Sequence, residues 1–186
     1  MSDLFFFLGA SAGGGLVCWW PAGRRSGWSA LYRFLAFEAL LGLTLLTRSH
    51  WFAGALSTPQ VISWLCLAAG LTLAVLALSR RPARPAMGNP TSQDPEETPT
   101  LPPRRGVYKI VRHPIYAAAL FTGWGLFAKS LAPFDNASLL CAFLLTGVSL
   151  FLVWAARTDD RADYLKFGTA YLLYVRSSKM LIPFIL

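Results

Sequence analysis

Five long apolar stretches dominate the chain, near residues 4–20, 28–47, 61–79, 114–132 and 137–156. Each can cross a hydrocarbon core as a helix, since a rise of about 1.5 Å per residue carries roughly 20 residues through about 30 Å. The pattern predicts an all-α, polytopic membrane bundle of about five transmembrane helices. The first stretch, LFFFLGASAGGGLVCWW, lacks the basic leader of a secretory signal and holds its small residues inside the apolar run, so it reads as a retained helix. Between the third and fourth stretches, residues 80–105 are rich in Pro, Thr and Glu and lack apolar periodicity. They are expected to be a mobile cytoplasmic linker joining three N-terminal helices, over 1–79, to a C-terminal part over 106–186. Past the fifth stretch, Tyr164, Phe167, Tyr171 and Tyr174 fall on one helical face among charged neighbours. That spacing predicts a C-terminal interfacial amphipathic helix, with Gly168 as its weak point.

Positive charge then orients the bundle. With the N-terminus outside, the cytoplasmic segments hold nearly all the Lys and Arg, from Arg24 to Lys179, while the outer loops keep only Arg48 and Lys129. Lys and Arg gather on the cytoplasmic side of membrane helices, so N-out, C-in is expected, in a bacterial inner membrane or an endoplasmic reticulum. Charged residues make up 14% of the chain, against about 25% in soluble domains, which argues against a water-soluble enzyme. The net charge of +8 suits anionic lipid headgroups in a bilayer; no aqueous module is left over to read nucleic acid. Cys18, Cys66 and Cys141 lie far apart in apolar runs. They suggest neither a disulfide framework nor a zinc site, so no metal is expected and they read as small buried hydrophobes.

Chemistry concentrates in GVYKIVRHPIYAAALF, residues 106–121. Pro114 suits the first turn of a helix, where its missing amide hydrogen is not needed. The free amides of that turn, with Arg112 and His113 beside them, favour an anionic group at the membrane face. A plain basic helix entry with a histidine cap accounts for the same residues. Asp159 and Asp160 read either as ligands or as a solvated acidic helix start. Glu38 lies roughly 15 Å into the second helix, where an ionised carboxylate is costly; it is a functional candidate or a protonated or paired packing residue. GASAG at 9–13 has the letters of a hydrolase nucleophile elbow but no preceding strand, and fits close helix approach better. His50 and His113 are assigned to opposite faces, which excludes a haem pair.

GVYKIVRHPIY resembles the G-x-Y-x-x-x-R-H-P-x-Y signature of the isoprenylcysteine carboxyl methyltransferase and phospholipid methyltransferase superfamily of integral membrane proteins. A second block of that superfamily, an acidic pair followed by F-G-x-x-Y-x-x-Y and a proline-containing tail, is similar to Asp159–Asp160, Phe167–Gly168, Tyr171, Tyr174 and IPF at 182–184. The two blocks cover about the last eighty residues. The resemblance implies a methyltransferase that uses S-adenosyl-L-methionine (SAM) without a Rossmann domain, its cofactor lying at the cytoplasmic interface. It implies a lipophilic acceptor, isoprenoid-like, prenylated or lipid-like, entering from the bilayer. Carried across, Tyr108, His113, Pro114, Ile115 and Tyr116 would line the cofactor pocket, Asp159 would stand at the acidic position, and Arg157 would orient an anionic substrate group. The acidic pair, usually glutamate in the superfamily, is aspartate here, and Ala170 and Met180 replace an acidic residue and an arginine.

The chemistry of SAM agrees with this set. The helix start at Arg112–His113 can receive a carboxylate, Asp159 or Asp160 an ammonium or ribose hydroxyls, and the rings of Tyr108, Tyr116 and Tyr171 a sulfonium and adenine. On the residues alone, a membrane reductase or isomerase using a nicotinamide or haem, and a non-catalytic membrane subunit, stay open beside the methyltransferase.

Overall fold

The apolar runs form α-helices among the described residues of this computed structural model, which are 2–19, 27–52, 57–79, 106–131 and 136–182. In chain order they are α1 (Ser2–Trp19), α2 (Gly27–Thr47), α3 (Thr58–Ser79), α4 (Pro114–Lys129), α5 (Asn136–Phe167) and α6 (Thr169–Ser177). Short 3-10 turns at Arg48–His50 and Gly106–Lys109 extend α2 and precede α4. Extended pairing among the described residues is limited to one parallel bridge between Val111 and Lys179. The expected linker over 80–105, and the tail from 183 onward, lie outside the described residues.

Among the described residues, three helical segments are long and apolar enough to cross a membrane: Gly27–His50, Thr58–Ser79 and Asn136–Phe167, with mean hydropathies of 1.5, 2.4 and 2.3. The 18 residues of α1 and the 16 of α4 rise only about 27 and 24 Å. Length and hydropathy together therefore support three crossings among the described residues, where the sequence pattern predicts five. Leu65, Leu71, Leu139 and Phe143 turn outward and are more than half exposed, an apolar surface suited to lipid. The 32 residues of α5 rise about 48 Å, well beyond a hydrocarbon core of about 30 Å. Its sequence is apolar up to residue 156 and charged from Arg157 onward. The apolar part of α5, residues 137–156, is thus by itself long enough to cross such a core, and the acidic pair lies on the charged end that follows it.

The most extensive packing joins α3 to α4 and α2 to α5. At the α3–α4 seam a Cβ built on Gly125 would lie 2.8 Å from Cγ of Leu67 and 3.0 Å from the carbonyl of Ser63. One built on Gly70 would lie 2.9 Å from Oγ1 of Thr122 and 3.0 Å from the carbonyl of Ala118. The two backbones approach this closely because the side chains are missing there, as small residues allow between membrane helices. Leu43 of α2, Leu126 of α4, and Cys141, Leu145 and Val148 of α5 form the core between these layers. Cys66 and Cys141 are free of disulfides, and Cys141 is buried in that core, as a small hydrophobe would be.

Candidate functional site

The site begins with the entry to α4. His113, preceding a proline, lies outside the helical region (φ −119°, ψ 65°), which the clash with the following ring disfavours. This frees the backbone of 110–113 to pair with the segment after α6. The N–H of Arg112 donates to the carbonyl of Lys179 at 2.7 Å, that of His113 to Met180 at 3.2 Å, and that of Lys179 to Ile110 at 2.8 Å. Between α5 and α6 the helix is interrupted at Gly168, whose φ of +56° is open to glycine at little steric cost. The break lets α6 fold back, so Tyr171 is buried against the α4 entry while Leu172 and Leu173 face outward.

Asp160 receives three side chains. Nε2 of His113 lies 2.7 Å from its Oδ1, the Tyr171 hydroxyl donates to the same oxygen, and Nη2 of Arg112 lies 3.4 Å from Oδ2. The other guanidinium nitrogen, Nη1 of Arg112, donates to the carbonyls of Val175 and Ser178 at 3.1 and 2.6 Å. It thereby fixes the C-terminal end of α6, whose carbonyls lack helical donors. Asp159 belongs to a neighbouring layer: Tyr116 donates to its Oδ2 at 2.7 Å and Ser29 of α2 to its Oδ1 at 2.5 Å. The His113 and Tyr116 rings stack, with centroids 5.3 Å apart and planes at 10°, which couples the two carboxylates across α4. Tyr108 and Tyr174 extend the network: Tyr174 donates to the Tyr108 carbonyl at 2.8 Å, and Tyr108 to the carbonyl of Ala77 at the end of α3 at 3.2 Å.

Electrostatics follow from these contacts. Burial alone would push the Asp160 carboxyl up. The hydrogen bond and charge of His113, the Tyr171 hydroxyl and the Arg112 charge outweigh it and hold the group below the usual carboxylate range. Burial and the hydrogen bond to Asp160 push the Tyr171 phenol up, so it stays a donor at neutral pH. A depressed folded pKa contributes stability that is present above the unfolded carboxylate range and lost as pH falls through the folded value. Below about pH 4, the amides of Arg112, His113 and Lys179 are therefore expected to lose hydrogen-exchange protection before those of the α2–α5 core. Simultaneous loss in both regions would contradict the assignment.

Of the residues singled out from the sequence, Tyr108, Arg112, His113, Pro114, Tyr116, Asp159, Asp160 and Tyr171 come together here. Three do not. Ile115 is 42% exposed on the outer side of α4. Arg157 is exposed and makes no ion pair among the described residues. Glu38 lies roughly 14 Å further along α2 from Ser29, where it accepts from Ser11 of α1 at 2.7 Å and leaves Oε1 buried without a partner. Ser29 was not legible as a member of the site: a serine at a helix start reads as a cap, and its partner is 130 residues away.

One donor of the cluster is unused. Nε of Arg112 is buried and has no hydrogen-bond partner, a costly state that an acceptor would relieve. Beside the cluster, on the flank of the α2–α5 seam, a cavity of about 550 Å³ is lined by Trp28, Tyr32, Thr158, Arg161, Ala162 and Leu165. Its volume falls in the range of small-molecule sites, roughly 300 to 1,000 Å³. No protein-family model, curated protein or solved structure matches the chain.

Proposed function

We propose that the chain is an integral membrane methyltransferase that uses SAM and acts on a lipophilic acceptor, isoprenoid-like, prenylated or lipid-like, at the cytoplasmic face. In this reading α1 and α4 complete five crossings, with the N-terminus outside and α6 lying in the interface. The observation that carries it is the meeting of the Arg112–His113–Pro114 corner with Asp160, Tyr171 and the segment after α6. Two stretches that resemble one superfamily, far apart in sequence, fold against each other.

The residues present fit the cofactor's chemistry. The free Nε–H of Arg112 suits the amino-acid carboxylate, since a charged donor binds a carboxylate strongly. Asp159 and Asp160 offer further lone pairs for hydroxyl or ammonium groups, and the rings of Tyr108, Tyr116 and Tyr171 suit a sulfonium. Bound SAM supplies an activated methyl group, so the protein needs no covalent nucleophile of its own. Its residues bind and orient the reactants, an effect that supplies much of the rate in displacement chemistry. Pro114 and Ile115 set the first turn of α4. Arg157, exposed where α5 leaves the membrane, is the cation available to an anionic acceptor group. Glu38 holds α1 against α2 and is remote from the cluster.

A second reading rests on a specific observation. The oxygens of Asp159 and Asp160 already accept from protein donors, as they would in a non-catalytic membrane subunit that retains the cluster as a lock. Calorimetric titration of the detergent-solubilised protein with S-adenosylhomocysteine separates the two. Saturable binding is expected, weakened at least ten-fold, or about 1.4 kcal/mol, in His113→Ala protein of unchanged helix content. Absence of saturable binding by the folded wild-type chain overturns the methyltransferase and favours the lock.

A further inference from the structure

The cavity on the α2–α5 flank is not used by the polar cluster. Trp28, Thr158 and Arg161 line it, while Ser29 and Asp159, their sequence neighbours, turn inward and bond to each other. From its edge an aromatic ladder descends along the spanning segment. Trp28 stacks on Tyr32 at 6.4 Å, Tyr32 meets Trp154 at 5.7 Å, and Trp154 meets Phe151 at 6.2 Å. Trp28, Trp154 and Leu165 are 64%, 43% and 76% exposed, so this apolar strip opens to the surroundings. Arg161 supplies positive charge at the cavity wall and makes no ion pair among the described residues.

We propose that this groove binds one anionic phospholipid, its phosphate at Arg161 and an acyl chain along the Tyr32–Trp154–Phe151 ladder. Position selects a lipid over a soluble anion. The groove lies where α5 changes from apolar to charged, the depth at which headgroups meet Trp and Tyr rings, and the ladder would be idle beneath a free phosphate. Charge selects an anionic over a zwitterionic headgroup. A basic protein attracts anionic lipids everywhere along its surface, by about 1 kcal/mol per cation near the membrane, so the signature of a site is dependence on Arg161 in particular. The inference does not rest on the methyltransferase reading.

The test is quenching of tryptophan fluorescence in nanodiscs of phosphatidylcholine doped with dibrominated phosphatidylglycerol or, in parallel, dibrominated phosphatidylcholine at equal mole fraction. The wild-type chain is expected to be quenched at least two-fold more by the anionic lipid. Arg161→Gln should bring the two curves together, Trp154→Phe on the acyl-chain ladder should remove much of the anionic excess, and Arg176→Gln, exposed on α6 and outside the lining, should leave the excess in place. Equal quenching of the wild type by both lipids overturns the proposal, as does an excess that survives Arg161→Gln. Loss of the excess in millimolar inorganic phosphate at constant ionic strength assigns the site to phosphate alone and overturns the lipid.

Discussion

Replacing Asp160 with alanine is expected to lower the unfolding free energy by about 3 kcal/mol. This is the low end of the scale for removing one partner of a buried ion pair, since these side chains are partly shielded rather than fully buried. The cause is what remains. Arg112 and His113 keep their places at the α4 entry because backbone pairing with Lys179 and Met180 holds them there. Without the carboxylate they face each other and a Tyr171 hydroxyl that has lost its acceptor. A buried donor left unpaired carries its own desolvation cost, of about 1 to 3 kcal/mol. Thermal unfolding in detergent, with limited proteolysis after α6, checks the result. An unchanged midpoint would show that the pairs are solvated and contribute nothing. Asp160→Asn, which keeps the shape and an acceptor, is expected to lose less.

Gly125→Val is expected to cost a similar amount, about 3 kcal/mol, near the upper end for overpacking a filled interior. Even the first carbon of the new side chain meets Leu67 and the Ser63 carbonyl within 3.0 Å. Leu67 can rotate away, whereas the carbonyl belongs to the α3 backbone, so relief requires α3 and α4 to separate. The contrast is Gly13 on α1, where an added Cβ meets nothing within 4 Å; the same holds at Gly9, so the GASAG stretch does not make the close helix approach expected of it. Gly13→Ala should be neutral or stabilising by up to about 1 kcal/mol through helix propensity alone. Chemical denaturation of both variants is the measurement, and equal effects at the two positions would refute the close approach at the α3–α4 seam.

These expectations also mark where the sequence was informative. Apolar runs near 28–47 and 61–79 match α2 and α3 within a few residues, because a membrane helix must be apolar along its whole length. The run at 137–156 marks only part of α5. Helical hydrogen bonding continues through Arg157 to Phe167 beyond the apolar run, and hydropathy cannot see that continuation. In the tail, the spacing of Tyr164, Phe167, Tyr171 and Tyr174 suggests one continuous face. The left-handed backbone at Gly168 divides it, leaving Tyr164 outside and turning Tyr171 and Tyr174 toward Asp160 and Tyr108. His113 occupies the N-cap position, but its ring makes no capping bond to the helix amides, as the plain helix-entry reading would have it, and pairs with Asp160 instead. Local rules anticipated the α4 start at Pro114, whereas Ser29 and its contact with Asp159 depend on how α2 packs against α5.

The parallel bridge between Val111 and Lys179 has a consequence for biogenesis. Its two residues are separated by the whole of α4, α5 and α6, so it cannot close until all three have been synthesised. Until then the backbone amides of Arg112 and His113 lack their Lys179 and Met180 partners. Assembly of the charged corner is therefore a late event in maturation, slowed by the entropy of closing so long a loop. A nascent chain arrested between residues 170 and 179 should be inserted but still open at this corner.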